Sequence, residues 1–188
     1  MDMVEMVHLT VAYFLILGML SWTSLSSAEF YAIPLLTAFA LYELGHKYVG
    51  NKFGYAGGYR LSPTVIVVSI LLYLATLGSA IFFAPGVFEV APKVDGTTWK
   101  PHYDVGEVGK IALAGPLANL AFATVFFVLA FFNSSMEIAA VYGINTLMGL
   151  CNLLPFRFFD GGKVLSWSKR VYALVVAYGL ALFLIAWL

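Results

Sequence analysis

Residues 38–49 read Ala-Phe-Ala-Leu-Tyr-Glu-Leu-Gly-His-Lys-Tyr-Val, which places a carboxylate and an imidazole inside an apolar run. An α-helix turns once in about 3.6 residues, so Tyr42 and His46 share one helix face and Glu43 lies beside the first of them. Ionisable groups are costly in an apolar helix and usually mark a functional site. The stretch therefore predicts a buried helix that carries chemistry.

The rest of the chain is too apolar for an ordinary soluble domain. Of its 188 residues, 62% are hydrophobic and 11% are charged, and the mean hydropathy is +0.91. Soluble proteins carry about 25% charged residues. We therefore predict an all-α polytopic membrane protein with one membrane-embedded domain, residues 1–188. The formal net charge is zero and there is no basic cluster, so nucleic acid is not an expected partner.

Several apolar segments are long enough to cross a bilayer. At about 1.5 Å per residue they cover roughly 27–37 Å, against about 30 Å of hydrocarbon. Five such segments are residues 7–25, 28–49, 108–132, 137–154 and 170–188. A sixth stretch, 63–85, is either another crossing or a re-entrant pair of short pieces. The expected fold is a bundle of five to six transmembrane helices, with a re-entrant or β-hairpin-like insert after the motif helix.

The first segment could be confused with a signal peptide. Its leading residues, Met1-Asp2-Met3-Val4-Glu5, are acidic where a signal peptide is basic. We therefore expect it to be a retained transmembrane helix.

Three short motifs point to a reaction. Residues 42–46, Tyr-Glu-Leu-Gly-His, match the H-E-x-x-H motif except for tyrosine at its first position. In that motif the two histidines bind zinc and the glutamate acts as general base for a water molecule. Residues 114–119 read Ala-Gly-Pro-Leu-Ala-Asn, and residues 152–155 read Asn-Leu-Leu-Pro, followed at 160–162 by Asp-Gly-Gly.

In this order the three motifs resemble the site-2 protease family of intramembrane zinc metalloproteases, over a core of about residues 28–162. The resemblance implies a zinc metalloendopeptidase that hydrolyses peptide bonds in or near transmembrane segments of membrane proteins. It implies Glu43 as the catalytic base, with His46, Asp160 and the position of Tyr42 as metal ligands. It also implies that Asn119 and Asn152 bind substrate, and that the cofactor is Zn²⁺.

Each of these residues also has a structural interpretation. Asp160 could cap a helix that follows it, and Glu43 could pair with Lys47 one turn later. Asn119 and Asn152 could form hydrogen bonds between helices. His102, in the polar insert, is a less favoured replacement ligand.

Tyr42 departs from the family pattern. A neutral phenol is a poor zinc ligand, and its ordinary pKa of about 10 opposes ionisation. Zinc binding is therefore weakened or lost if Tyr42 does not act as a ligand, because catalytic zinc sites normally have three protein ligands. The chain is then a natural inactive member, an engineered inactive variant or an active enzyme with an unusual ligand set. The alternative function is a pseudoprotease that binds transmembrane segments without cutting them.

The basic residues predict an orientation. If 63–85 is re-entrant, the three motifs meet at one end of the molecule and all ten basic residues lie on that side. The positive-inside rule then makes the amino terminus and the active-site side cytoplasmic. We therefore expect a multi-pass protein of the cell membrane, whose partners are the lipid bilayer and a transmembrane protein substrate.

Overall fold

The computed structural model describes residues 2–22, 24–91, 93–94, 101–133 and 135–185. Within these residues the chain is mostly helical. The helices are α1 (Met3–Leu20), α2 (Leu25–Lys52), α3 (Pro63–Ala75), α4 (Val105–Ala130), α5 (Met136–Asn152), α6 (Asp160–Trp167) and α7 (Lys169–Ile185). The strands are β1 (Gly57–Leu61), β2 (Gly86–Val90), β3 (Lys93–Val94) and β4 (Pro101–His102).

Polar residues at the helix starts explain where several helices begin. The side chains of Asp2, Ser62, Asp104 and Ser135 each accept a hydrogen bond from a backbone N–H in the first turn of the following helix. Such caps satisfy donors that a helix cannot satisfy by itself. Each of the five predicted apolar segments coincides with a helix, namely α1, α2, α4, α5 and α7, with ends shifted by a few residues.

The stretch 63–85 returns to the end of the molecule where it starts. β1 pairs antiparallel with β2, with Leu61 opposite Gly86, and the Ser62 N–H donates to the Pro85 carbonyl at 3.2 Å. Helix α3 covers only the first part of the stretch, and the chain turns back at Gly78, whose φ of +82° suits glycine. The stretch therefore starts and ends at the same two-stranded sheet, and with β1 and β2 it forms the hairpin-like insert expected after the motif helix.

Two of the described helices, α1 and α4, are long and apolar enough to cross a membrane by length and composition. The apolar helix α3 is shorter. By this criterion the described residues provide two spans, fewer than the five to six expected from the sequence.

Helix α4 lies at the centre of the fold and contacts α2, α5, α6 and α7. Helices α1 and α2 run antiparallel, since Tyr13 of α1 donates to the Ala32 carbonyl while Glu5 pairs with Lys47 at the other end. One apolar cluster joins α1, α2 and the first sheet, and a second joins α4, α5 and α7. The side of α2 that carries Tyr42, Glu43 and His46 is therefore buried against α1, α4 and the sheet.

Candidate metal centre

Tyr42, His46 and Asp160 meet at one carboxylate oxygen. The Tyr42 hydroxyl donates to Asp160 Oδ2 at 2.6 Å, and His46 Nε2 lies 3.1 Å from the same oxygen. None of the three side chains is more than 1% exposed. The structure thus brings together residues 118 positions apart that the sequence assigned to one site.

His46 is held from three sides. Its Nδ1 lies 2.7 Å from the Ile111 carbonyl, its ring stacks on Phe88 with centroids 4.5 Å apart, and the Tyr42 ring meets it edge-on. Because a carbonyl only accepts hydrogen bonds, Nδ1 must carry a proton and donate. This hydrogen bond directs Nε2 at Asp160 Oδ2.

Glycines in the first two motifs allow α2 and α4 to pack closely where His46 lies between them. A Cβ atom at Gly115 would lie 2.2 Å from His46 Nε2, and a Cβ atom at Gly45 would lie 2.6 Å from the Ala114 carbonyl oxygen. Only glycine fits at either position, since contacts this short are sterically forbidden. The Ala-Gly-Pro motif therefore serves close packing of α4 against α2, which places His46 at the required depth.

Asp160 opens α6 with its side chain turned inward. Its Oδ1 accepts from Lys163 Nζ at 3.2 Å, while Oδ2 faces Tyr42 and His46. Burial alone would raise the pKa of this carboxyl, but the neighbouring His46 and Lys163 bring it below its ordinary value. The helix-capping interpretation is therefore not needed to explain this aspartate.

The two glycines after Asp160 allow the chain to fold tightly against itself. A Cβ atom at Gly161 would lie 2.1 Å from the Leu153 carbonyl oxygen, and one at Gly162 would lie 2.3 Å from the Phe156 carbonyl oxygen. The Asp-Gly-Gly motif thus combines one functional side chain with two positions that need the absence of one.

Glu43 points to a different side of α2. It is buried, and Lys47 Nζ lies 3.4 Å from its Oε1, so the pairing expected from their spacing is present. The same lysine also pairs with Glu5 of α1. Lys47 is thus the charged partner of both carboxylates within the described residues.

Asn119 and Asn152 are fully buried. Asn152 donates to the Met148 carbonyl of its own helix at 2.9 Å, and the Asn119 amide has no hydrogen-bond partner within the described ranges. A role in holding substrate stays a prediction for both residues. The interhelical hydrogen bonds of the alternative interpretation are not seen for either of them in the described part of the chain.

Comparison with known proteins bears on this geometry. A protein of Methanocaldococcus jannaschii named "Putative zinc metalloprotease" is 32% identical to the chain over 178 residues, covering 91% of the chain and 88% of the relative. The chain belongs to this zinc metalloprotease family. Neither a family model nor a solved structure matches it. The shared length shows that the likeness extends over nearly the whole fold.

The donor atoms of this family member fit zinc in kind but not in the usual number. An imidazole nitrogen and a carboxylate oxygen are standard zinc ligands. The described residues contain no group of three His, Cys, Asp or Glu side chains that could hold a metal ion. The position of the third ligand is occupied by Tyr42. His46 and Asp160 would hold zinc, with the Tyr42 oxygen directed at the same point.

Sequence reasoning missed three residues around the centre, Glu5, Phe88 and Lys163. Phe88 covers one face of the His46 ring, and Lys163 Nζ donates to the Phe88 carbonyl at 2.8 Å as well as to Asp160. A lysine three residues after a helical aspartate is a weak but readable signal. Glu5 and Phe88 approach the site only through tertiary packing, which a single sequence does not encode in any local pattern. The His102 side chain lies outside the described residues.

Proposed function

We propose that this chain is a zinc-dependent endopeptidase of the site-2 type, which hydrolyses peptide bonds in or near transmembrane segments. The observation that supports the proposal most is the meeting of Tyr42, His46 and Asp160 at one buried oxygen, with Glu43 on the adjoining face of the same helix. The first and third motifs supply these side chains, and Gly115 of the second motif lies beside His46. Membership of a zinc metalloprotease family supports peptide-bond hydrolysis as the reaction.

In the proposed reaction His46 and Asp160 would hold zinc, and the Tyr42 oxygen would be the third ligand. Zinc, when bound, polarises the scissile carbonyl and lowers the pKa of a water molecule. Glu43 takes a proton from the attacking water and returns it to the leaving nitrogen, as a general base and then a general acid. Ile111 keeps His46 in the tautomer that directs Nε2 to the centre.

A membrane setting is supported by the surface of the helices. Large apolar side chains point outward along α1, α3 and α7, including Phe14, Val67, Leu71 and Leu174. In the apolar window of α1 only 17% of the residues are buried, whereas the core helix of a soluble protein is mostly buried. Soluble monomers rarely expose apolar patches of this extent. We therefore retain five to six spans, with the amino terminus and the site on the cytoplasmic side, as part of the proposal.

A buried centre limits how a substrate can be cut. A transmembrane helix satisfies its own backbone hydrogen bonds, so its carbonyls are shielded until it unwinds. Phe88 stacks on His46 and so closes that face of the imidazole ring. The proposed substrate is therefore a transmembrane segment that can be unwound locally.

A second function, a pseudoprotease that binds transmembrane segments without cleaving them, is favoured by one observation. The Tyr42 hydroxyl donates to the same Asp160 oxygen that faces His46. This hydrogen bond occupies a carboxylate lone pair that a metal would need.

Zinc analysis separates the two functions. Purified protein and a Tyr42→His variant are saturated with zinc and washed, and bound metal is counted by mass spectrometry. Both are then incubated in bilayers with a mixture of model transmembrane peptides. Stoichiometric zinc and cleavage by the unaltered chain support the protease and exclude the pseudoprotease. Zinc and cleavage only in Tyr42→His support the pseudoprotease, and neither in either protein overturns the metalloprotease proposal.

A further inference from the structure

An apolar groove follows the exposed side of the contact between α2 and α4. Its volume is about 460 Å³, within the roughly 300–1,000 Å³ of ordinary small-molecule sites. The small residues Gly45, Ala114 and Ala118 bring the two helices close together at this contact, and Val49 and Leu117 line the groove beside them. The groove is separate from the candidate metal centre, whose three side chains do not line it.

Two lysines lie at one end of this groove. Lys52 ends α2 and Lys110 lies in the second turn of α4, and both side chains are exposed and line the groove. Lys110 Nζ lies 5.5 Å from the centre of the Phe53 ring. Neither lysine forms an ion pair in the described part of the chain, and no carboxylate is among the described residues that line the groove. The groove therefore ends in two positive charges without a counter-ion.

The length of the groove matches one leaflet of a bilayer. Lys110 lies near Phe53, and Gly45, further back along α2, lies against Ala114, so the two helices run antiparallel. The groove follows α4 from Lys110 to Ala121, which is about 16 Å at 1.5 Å per residue. One leaflet contains about 15 Å of hydrocarbon. In the proposed orientation the lysines lie at the cytoplasmic surface, and the apolar part of the groove extends into the leaflet.

We propose that this groove binds one anionic phospholipid of the cytoplasmic leaflet, with its phosphate at Lys52 and Lys110 and an acyl chain along α2 and α4. Basic pockets between membrane helices suit anionic headgroups, and Tyr48, which is 74% exposed and lines the groove, is of a residue type that favours the membrane interface. The bound lipid covers the contact between α2 and α4 and so stabilises the helix pair that holds His46.

The unpaired lysines favour a lipid over a transmembrane helix of another protein. A phospholipid of this class always carries a negative charge at the depth of the headgroup, whereas a helix has one there only if its sequence supplies an acid. The inference rests on the membrane setting of the proposed function and does not depend on the peptidase reaction.

The test measures lipid binding to purified full-length protein in detergent by native mass spectrometry. Phosphatidylglycerol is the anionic probe and phosphatidylcholine the neutral one. The original protein should bind one phosphatidylglycerol molecule in preference to phosphatidylcholine. Lys52→Gln and Lys110→Gln should each weaken phosphatidylglycerol binding roughly fivefold, the contribution of one lysine near an anionic headgroup. The double variant should bind the two lipids about equally.

Two matched controls separate this site from the rest of the surface. Lys169→Gln with Arg170→Gln removes the same charge from the exposed start of α7 and should leave the lipid preference unchanged. Ala121→Phe fills the apolar end of the groove and should weaken the binding of both lipids. Ala139→Phe, at an exposed position of α5, should weaken neither.

Melting temperatures provide a second readout. Values without lipid show that each variant is folded. Phosphatidylglycerol should raise the melting temperature of the original protein and of the α7 control, because it binds the folded state. It should not raise that of the double lysine variant, and an equal rise in all three proteins would overturn the inference.

Three binding results would also overturn it. A preference for phosphatidylglycerol that survives in the double lysine variant, or that falls equally in the α7 control, would show that these two lysines do not form the site. Equal lipid binding by Ala121→Phe and Ala139→Phe would place the acyl chain elsewhere. Displacement of the lipid by a model transmembrane peptide would assign the groove to a helix. Because no measurement requires cleavage, peptide cleavage without lipid binding contradicts this inference alone, and lipid binding without cleavage contradicts only the peptidase function.

Discussion

The two faces of α2 differ in how their site residues find partners. Tyr42 and His46 face Asp160, a residue that belongs to a recognisable motif. Glu43 and Lys47 face α1, where Glu5 belongs to no motif. In the proposed function the first face (the metal face) binds zinc and the second (the proton face) transfers a proton. The two faces begin at adjacent residues, Tyr42 and Glu43. The residues of the metal face could therefore be predicted from short sequence motifs, whereas the partner of Lys47 on the proton face is set by tertiary packing.

The largest effect is expected from Glu43→Gln, which replaces the proposed base by a neutral amide. General-base catalysis contributes about 10²–10⁴-fold, so cleavage of model transmembrane peptides should fall by that amount. Zinc content should change little, because Glu43 is not one of the proposed metal ligands. Parallel measurement of cleavage rate and bound zinc checks both statements.

The contrasting variant is His46→Gln, which should lose zinc and activity together. If Glu43→Gln also lost its zinc, the division of α2 into a metal face and a proton face would be wrong.

The same difference separates the features that could be predicted from the sequence from those that could not. The five long helices and the pairing of residues 42–46 with Asp160 followed from apolar length and three motifs. The return of residues 63–85 was one of two readings, and its outcome depends on the pairing of β1 with β2. Contacts such as Glu5 with Lys47 could not be predicted, since they join segments about forty residues apart with no shared pattern.

The next largest effect is expected from Gly115→Ala, which tests the metal face. The added Cβ atom would lie 2.2 Å from His46 Nε2, so His46 must move or α4 must shift away from α2. Overpacking of this kind lowers the free energy of unfolding by about 1–3 kcal/mol. A lower melting temperature together with reduced zinc binding is expected.

The matched control is Gly143→Ala in α5, where an added Cβ atom meets nothing within 4 Å. Alanine is the better helix former, so this variant should be at least as stable as the original protein. Equal behaviour of the two alanine variants would show that α2 and α4 pack less closely than described.

A smaller effect is expected from Lys163→Met, which removes the link between Asp160 and strand β2. The Phe88 carbonyl and Asp160 Oδ1 would both lose a donor. Losing these two partly exposed hydrogen bonds should lower the free energy of unfolding by about 1–2 kcal/mol, or the melting temperature by about 2–8 °C. Lys169, an exposed lysine at the start of α7, provides the control variant Lys169→Met. An equal change of melting temperature in both variants would contradict a specific role for Lys163.

The smallest effect is expected at Asp2, which with Glu5 fixes the start of α1. Asp2 Oδ2 pairs with Arg60 Nη2 of β1 at 2.9 Å, and the hydrogen bond from Arg60 lowers the pKa of Asp2 to about 2. A carboxyl whose pKa is lower in the folded state stabilises the protein above its unfolded pKa of about 4, and this contribution is lost as the pH falls through about 2. Because the pair is exposed, solvent screens it. Melting temperatures of the original protein and Asp2→Asn should therefore differ slightly at pH 7 and converge near pH 2. A difference at pH 7 larger than that caused by Glu5→Gln would show that α1 is anchored by its exposed pair and not by its buried one.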